Sequence, residues 1–182
     1  MKNTKMKFLI FFPLLVISVN EAVAQKEIIL GSHAHKGHSN TTIAKGEGIG
    51  MKLKAGKKGV TIQSLNINLI EQHPDSVRFY VRIFPMDGKS LGNNIGPDKV
   101  FTASLKDNHI YVSLTDYHIT VRGDFVVGVE WSANANGSVN TISFHTGVLK
   151  KGIYYKETDD PRWKKIPFFG FDIELRGIED TL

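Results

Sequence analysis

The sequence predicts an all-β fold, an antiparallel two-sheet sandwich with jelly-roll-like connectivity. Three observations carry this. From residue 49 onward apolar side chains recur at every second position, the period of a strand with one dry face. The runs number about ten at a spacing of roughly 8–12 residues, the density of a sandwich or barrel. Beyond the first two dozen residues, no stretch combines helical spacing with caps. A closed β-barrel satisfies the same strand count and is the alternative.

The chain opens on an address rather than a strand. Lys2, Lys5 and Lys7 precede an apolar run from Phe8 to Val19, and Ala22-Val23-Ala24 is the small-x-small pattern a signal peptidase accepts. The run is about a dozen residues, short of the roughly 20 that span a bilayer, and Pro13 interrupts it. Residues 1–24 are therefore expected to be a removed signal peptide, and 25–182 a single β-sandwich domain. Gln25 stands where a lipoprotein carries its acylated cysteine, and the chain has no cysteine. Lipid anchoring and disulfides are both excluded, so the core alone must hold an exported domain. The expected location is periplasmic, at the cell surface or secreted from a bacterium, with no stable membrane insertion after cleavage.

Removing Lys2, Lys5, Lys7 and Glu21 from 23 basic and 18 acidic residues leaves 20 and 17, a net of +3. Lys57-Lys58, Lys150-Lys151 and Lys164-Lys165 lie far apart in sequence and read as solvated turn flanks. Nucleic-acid binding wants a concentrated stripe, so no nucleic-acid partner is expected.

The elements follow in order. Glu27 to Leu30 is a short first strand, and the polar, histidine-bearing stretch from Gly31 to Gly46 reads as a loop. Ile49, Met51 and Leu53 alternate with Gly50, Lys52 and Lys54. Val60 and Ile62 start a run whose apolar phase then slips to Leu65, Ile67 and Leu69, which predicts a bulge or break near Gln63-Ser64. Val77, Phe79, Val81 and Ile83 alternate with Arg78, Tyr80 and Arg82. Further runs are Val100 to Leu105, Ile110-Val112-Leu114, Ile119-Val121, Phe125-Val127-Val129-Trp131, Ile142-Phe144 and Ile153 to Tyr155. A single closing strand is expected over Phe169, Phe171, Ile173 and Leu175. Asp87-Gly88, Gly123-Asp124 and Asn136-Gly137 are expected turns, and His73-Pro74-Asp75 a strand stop. Phe79, Val81, Val127, Val129, Phe171 and Ile173 should share one inter-sheet core.

Ile110 through Leu114-Thr115-Asp116-Tyr117-His118-Ile119, then Val121 and Phe125 to Trp131, form a pattern similar to exported bacterial β-sandwich domains. Such domains are often found beside carboxypeptidase-regulatory-like (transthyretin-like) modules. Gly48-Ile49-Gly50-Met51-Lys52-Leu53, Arg78 to Phe84, Tyr154-Tyr155 and Trp163-Lys164 add to the likeness. The resemblance implies a sandwich and carries over no catalytic residue.

His33-x-His35-x-x-His38 places three imidazoles within six residues, a composition that suits zinc, copper or nickel. Its glycine, serine and asparagine surroundings offer no rigid second layer, so no tight metal site and no cofactor are expected. Sugar-binding sandwiches present exposed aromatic faces to pyranose C–H groups, which makes Trp163, Tyr154, Tyr155 and Tyr80 the ligand-binding candidates. The plainer reading puts the tyrosines half-buried in strands and Trp163 folded over a sheet edge, so that its truncation costs stability. No nucleophile elbow, phosphate loop or His-Glu-x-x-His is present, and no catalytic residue is assigned. Asp172 and Glu174, two apart on the last strand, would sit roughly 7 Å from each other. Arg176 beside them points to charge balance, and Asp159-Asp160 lies in a loop. The function expected is a non-enzymatic exported interaction domain for a surface protein or glycan. The rivals are a carbohydrate-binding accessory or glycan-active enzyme built on Trp163 and nearby acids, and a structural or adhesive surface subunit.

Overall fold

The computed structural model describes residues 26–32, 39–70, 76–133, 141–148 and 152–180. The expectations on residues 1–24, on His33, His35 and His38, on His73-Pro74-Asp75, on Asn136-Gly137 and on Lys150-Lys151 lie outside the described residues.

The described chain is all-β. Its strands are β1 (Glu27–Ser32), β2 (Ser39–Ala44), β3 (Gly48–Asn68), β4 (Ser76–Asp87), β5 (Ser90–Leu91), β6 (Val100–Ser104) and β7 (His109–Ser113). There follow β8 (Thr120–Trp131), β9 (Thr141–Val148), β10 (Ile153–Lys156), β11 (Lys164–Ile166), β12 (Phe169–Phe171) and β13 (Ile173–Glu179). One 3-10 turn, Thr115–Tyr117, links β7 to β8. The strands form two antiparallel sheets of ten and three strands, and no closed barrel. The larger runs β1-β13-β3-β8-β4-β5, with β6 on β4, β7 and β10 on β3, and β11 on β10; the smaller is β12-β9-β2.

β3 organises the large sheet because it is long enough to serve four partners. Its first half pairs with β10 along one edge and its second half with β13, while β8 and then β7 take the other edge. The phase slip seen in the sequence is a bulge: Ser64 pairs with Arg176 and Ile62 with Gly177, which leaves Gln63 as the extra residue. Val60 and Ile62 on one side of it, and Leu65 and Ile67 on the other, thus all face the core.

The core is the dry face that alternation requires. Phe79, Val81, Val127, Val129, Phe171 and Ile173 are each at most 2% exposed. Leu69, just past the end of β3, bridges to Phe144 of β9, tying the sheets together. Each such side chain contributes about 1.5–3 kcal/mol by leaving water.

Three expectations need correction. Part of the expected loop 31–46 is strand: Thr41, Thr42 and Ile43 are β-branched, and β2 pairs along β9 from Ser39↔Thr146 to Ala44↔Thr141. Gly123-Asp124 is not a chain reversal. It lies inside β8, where Gly123 (φ +65°) meets Gly56 (φ +85°) at a register irregularity, so the positive φ serves a bulge. The closing strand divides at Asp172, with Phe171 pairing in the small sheet and Ile173 in the large one. Both side chains remain in the core, which is why unbroken alternation hid the change of sheet.

Candidate functional site

The site is built on the face of the large sheet opposite the core. Pairing there sets Arg82 beside Gly128, Gly128 beside Gly50, and Gly50 beside Tyr154. The next row runs Tyr80, Glu130, Gly48, Lys156. Three glycines thus floor a trough flanked by long side chains. Trp163 lies in this trough. A Cβ added to Gly48 would stand 2.6 Å from its Cη2, and one on Gly50 would stand 3.4 Å from its Cζ3. Its ring also meets Phe84 at 5.5 Å between centroids and 59° between planes. The indole therefore covers the sheet's face rather than an edge, and it is only half-buried.

The segment between β10 and β11 holds Trp163 in place. Asp160 accepts hydrogen bonds from the Arg162 backbone N–H at 3.0 Å, from Arg162 Nε and Nη2 at 2.9 Å each, and faces Lys164 Nζ at 3.2 Å. Those bonds, Arg162 first, hold the Asp160 carboxyl well below the usual carboxylate range. Lys164 also donates to Glu157 at 2.8 Å, and Thr158 Oγ1 donates to the Lys45 carbonyl at 3.1 Å. These bonds close the strap on itself, and the one from Thr158 ties it to Lys45 after β2.

Beside it, Glu130 accepts from Arg82 Nε at 2.7 Å and from Lys156 Nζ at 3.1 Å. Arg82 also stacks on Tyr80, its Cζ 4.5 Å from the ring centre. One face of Tyr80 is thereby occupied. Tyr155 points to the other side of β10 and packs against the core, where burial and a hydrogen bond with Glu47 push its phenol up. Of the four aromatic candidates, Trp163 and Tyr154 come together and Tyr80 and Tyr155 stand apart from them.

Trp163 and Tyr154 line a cleft of about 480 Å³. One wall is the β4–β5 hairpin, contributing Phe84, Lys89 and Leu91; the other is the strap with β11 after it, contributing Arg162, Trp163 and Lys165. Tyr154 is the buried floor, its hydroxyl 4.0 Å from Met86 Sδ, and burial raises its pKa. Beyond Tyr154 a recess of about 130 Å³ continues the groove toward Lys52 and Met86. Phe84 and Lys89 were not singled out in the sequence. The glycine alternation at Gly48 and Gly50 marks a strand face left empty for another group, here Trp163, and no local signal marked Phe84 or Lys89.

The carboxylate pairs lie elsewhere. Glu174 accepts from Arg176 Nε at 2.7 Å, Asp160 is engaged with Arg162, and Asp172 sits where β12 gives way to β13. Among the described residues no Asp or Glu lines the cleft or the recess. Among the described residues no group of three or more His, Asp or Glu could hold a metal ion, and no helix is long and apolar enough to cross a membrane.

No protein-family model matches the sequence, and no curated protein matches it. The fold is similar to one in the crystal structure of the cysteine protease and lectin-like domains of Cwp84, a surface layer associated protein of Clostridium difficile. The TM-score is 0.54 at 11% identity, over 77% of this chain and 34% of that one. The chain thus spans about a third of that relative, and the likeness is one of fold.

Proposed function

We propose that the protein is an exported, non-enzymatic carbohydrate-binding domain that takes a saccharide in the groove between the β4–β5 hairpin and the Trp163 strap. The observation that carries this is the seating of Trp163 in its glycine trough, half-buried at the edge of a cleft floored by Tyr154. An indole held this way loses little entropy when a pyranose stacks on it. Tyr154 sets a hydroxyl at the cleft floor, where Met86 Sδ at 4.0 Å is a weak acceptor. The cleft volume falls in the range of small-ligand sites. The fold likeness adds support: of the two domains in that crystal structure one is lectin-like, and the cysteine-protease role is closed to a chain without cysteine. Among the described residues the groove is lined by cations and aromatics rather than by the carboxylate pair that glycosidic hydrolysis uses, which favours binding. A signal peptide over residues 1–24 would deliver the domain to the cell exterior.

Glycan-array retention of the mature chain tests the reading. Trp163→Ala should abolish retention, and Tyr154→Phe should weaken it while leaving the melting curve close to that of the parent. Retention unchanged in both variants would sink the proposal.

A further inference from the structure

The groove's polar chemistry is one-sided. Lys89 and Lys165 line both the cleft and the recess, Arg162 is added in the first and Lys52 in the second. Ammonium and guanidinium groups donate hydrogen bonds and accept none. Only the hydroxyls of Ser90 and Tyr154 add side-chain acceptor capacity. A neutral sugar presents hydroxyls that donate as well as accept, and the side chains of this lining offer far more donors than acceptors.

Two of the cations already have carboxylates. Arg162 is held by Asp160, and Lys52 Nζ lies 2.5 Å from Asp124 Oδ2. Lys89 and Lys165 have no carboxylate partner among the described residues. The fold nonetheless places both. Lys89 follows Gly88 (φ +59°) in the two-residue turn that closes Asp87 onto Ser90. Lys165 sits opposite Tyr154 in the β10–β11 pair, its Cε so close over Gly152 that a Cβ there would come within 2.9 Å.

We infer that the groove selects an anionic saccharide, the sugar ring resting on Trp163 and its acidic substituent held by Lys89 and Lys165. An acidic oxygen is an acceptor without a proton to place, which matches a lining of donors, and its bonds to ammonium groups are charge-assisted. This deepens the carbohydrate-binding reading and rests on it. Carboxylate, sulfate ester and phosphodiester share the required chemistry.

The experiment measures binding of the mature chain to dextran, dextran sulfate, polygalacturonate and poly(glycerol phosphate), at low and high salt. Binding to at least one anionic polymer and none to dextran is expected, and the polymer preferred identifies the acid. The K89A/K165A variant should bind it at least about tenfold more weakly, the scale of losing two charge-assisted hydrogen bonds. K57A/K58A, on the irregular stretch of β3 away from the groove, should bind as the parent does. An equal loss in K57A/K58A would overturn the inference, because diffuse polyelectrolyte attraction would then explain the binding. Failure to bind any anionic polymer would overturn it too. If a neutral glycan is nevertheless retained through Trp163, the carbohydrate-binding reading survives and only the charge selectivity falls.

Discussion

The indole of Trp163 rests on the α-carbon of Gly48 so closely that a methyl group at position 48 would stand 2.6 Å from Cη2 and 3.0 Å from Cζ2. The contact makes a glycine on a sheet face part of the site. Gly48→Ala should keep the sheet, because the far end of an aromatic side chain can give way, but it should tilt the indole out of the trough. We expect greater acrylamide quenching of tryptophan fluorescence and weaker glycan retention. Gly128→Ala is the contrast. Its Cβ would meet the Ile49 carbonyl oxygen and the Gly50 α-carbon at 2.2 and 2.4 Å, and this backbone belongs to the pairing of β3 with β8. That variant should lose at least about 1–3 kcal/mol, as overpacking does, measured by denaturant unfolding.

Phe171 is fully buried and meets Phe144 edge-on, with ring centroids 5.8 Å apart. Phe171→Ala should cost about 3–5 kcal/mol, the transfer term plus the cavity left behind. A variant as stable as the parent in chemical denaturation would place this ring outside the core.

Glu130 pairs with both Arg82 and Lys156, whose side chains are only 20% and 12% exposed. Glu130→Gln leaves two cations side by side with little solvent, and should cost about 1–3 kcal/mol. Adding Lys156→Met should recover part of the loss, because it removes one of the two unpaired charges and their mutual repulsion. A double-mutant cycle that shows no coupling would contradict the network.

Asp160 titrates below its ordinary value of 3.8 because Arg162 and then Lys164 favour its charged form. A carboxyl depressed in the folded state lends its stabilisation above the unfolded value and loses it as pH falls through the folded one. The strap should therefore stay ordered near pH 4 and loosen only in stronger acid. An NMR titration of the Asp160 carboxyl checks the direction, and a midpoint at or above 3.8 would refute it. Asp160→Asn should release the strap at neutral pH and lower glycan retention.

Export should yield a chain beginning at Gln25 and carrying no lipid. Intact mass of the exported material checks this. A membrane-retained product with Phe8 to Val19 still attached would refute it.

Periodicity revealed the core because alternation is a local property of a strand with one dry face. Phe79, Val81, Val127 and Val129 could be placed from their own neighbours, and the slip at Gln63 could be located because a bulge changes the phase of the apolar residues around it. Pairing and exit points are not local. Phe171 and Ile173 keep perfect alternation while the chain leaves one sheet for the other, so nothing in their spacing marks the change at Asp172. The same holds for the groove. Gly48, Gly50 and Gly128 come from two strands, Phe84 and Lys89 from a strand end and its turn, and Trp163 from a strap more than a hundred residues along the chain from Gly48. Trp163 and Tyr154 could be named as candidates because a tryptophan between Pro161 and Pro167 and a Tyr-Tyr pair stand out locally. Which of them share a cleft was set by strand register, and register depends on the energy of the whole packed sheet rather than on any one segment.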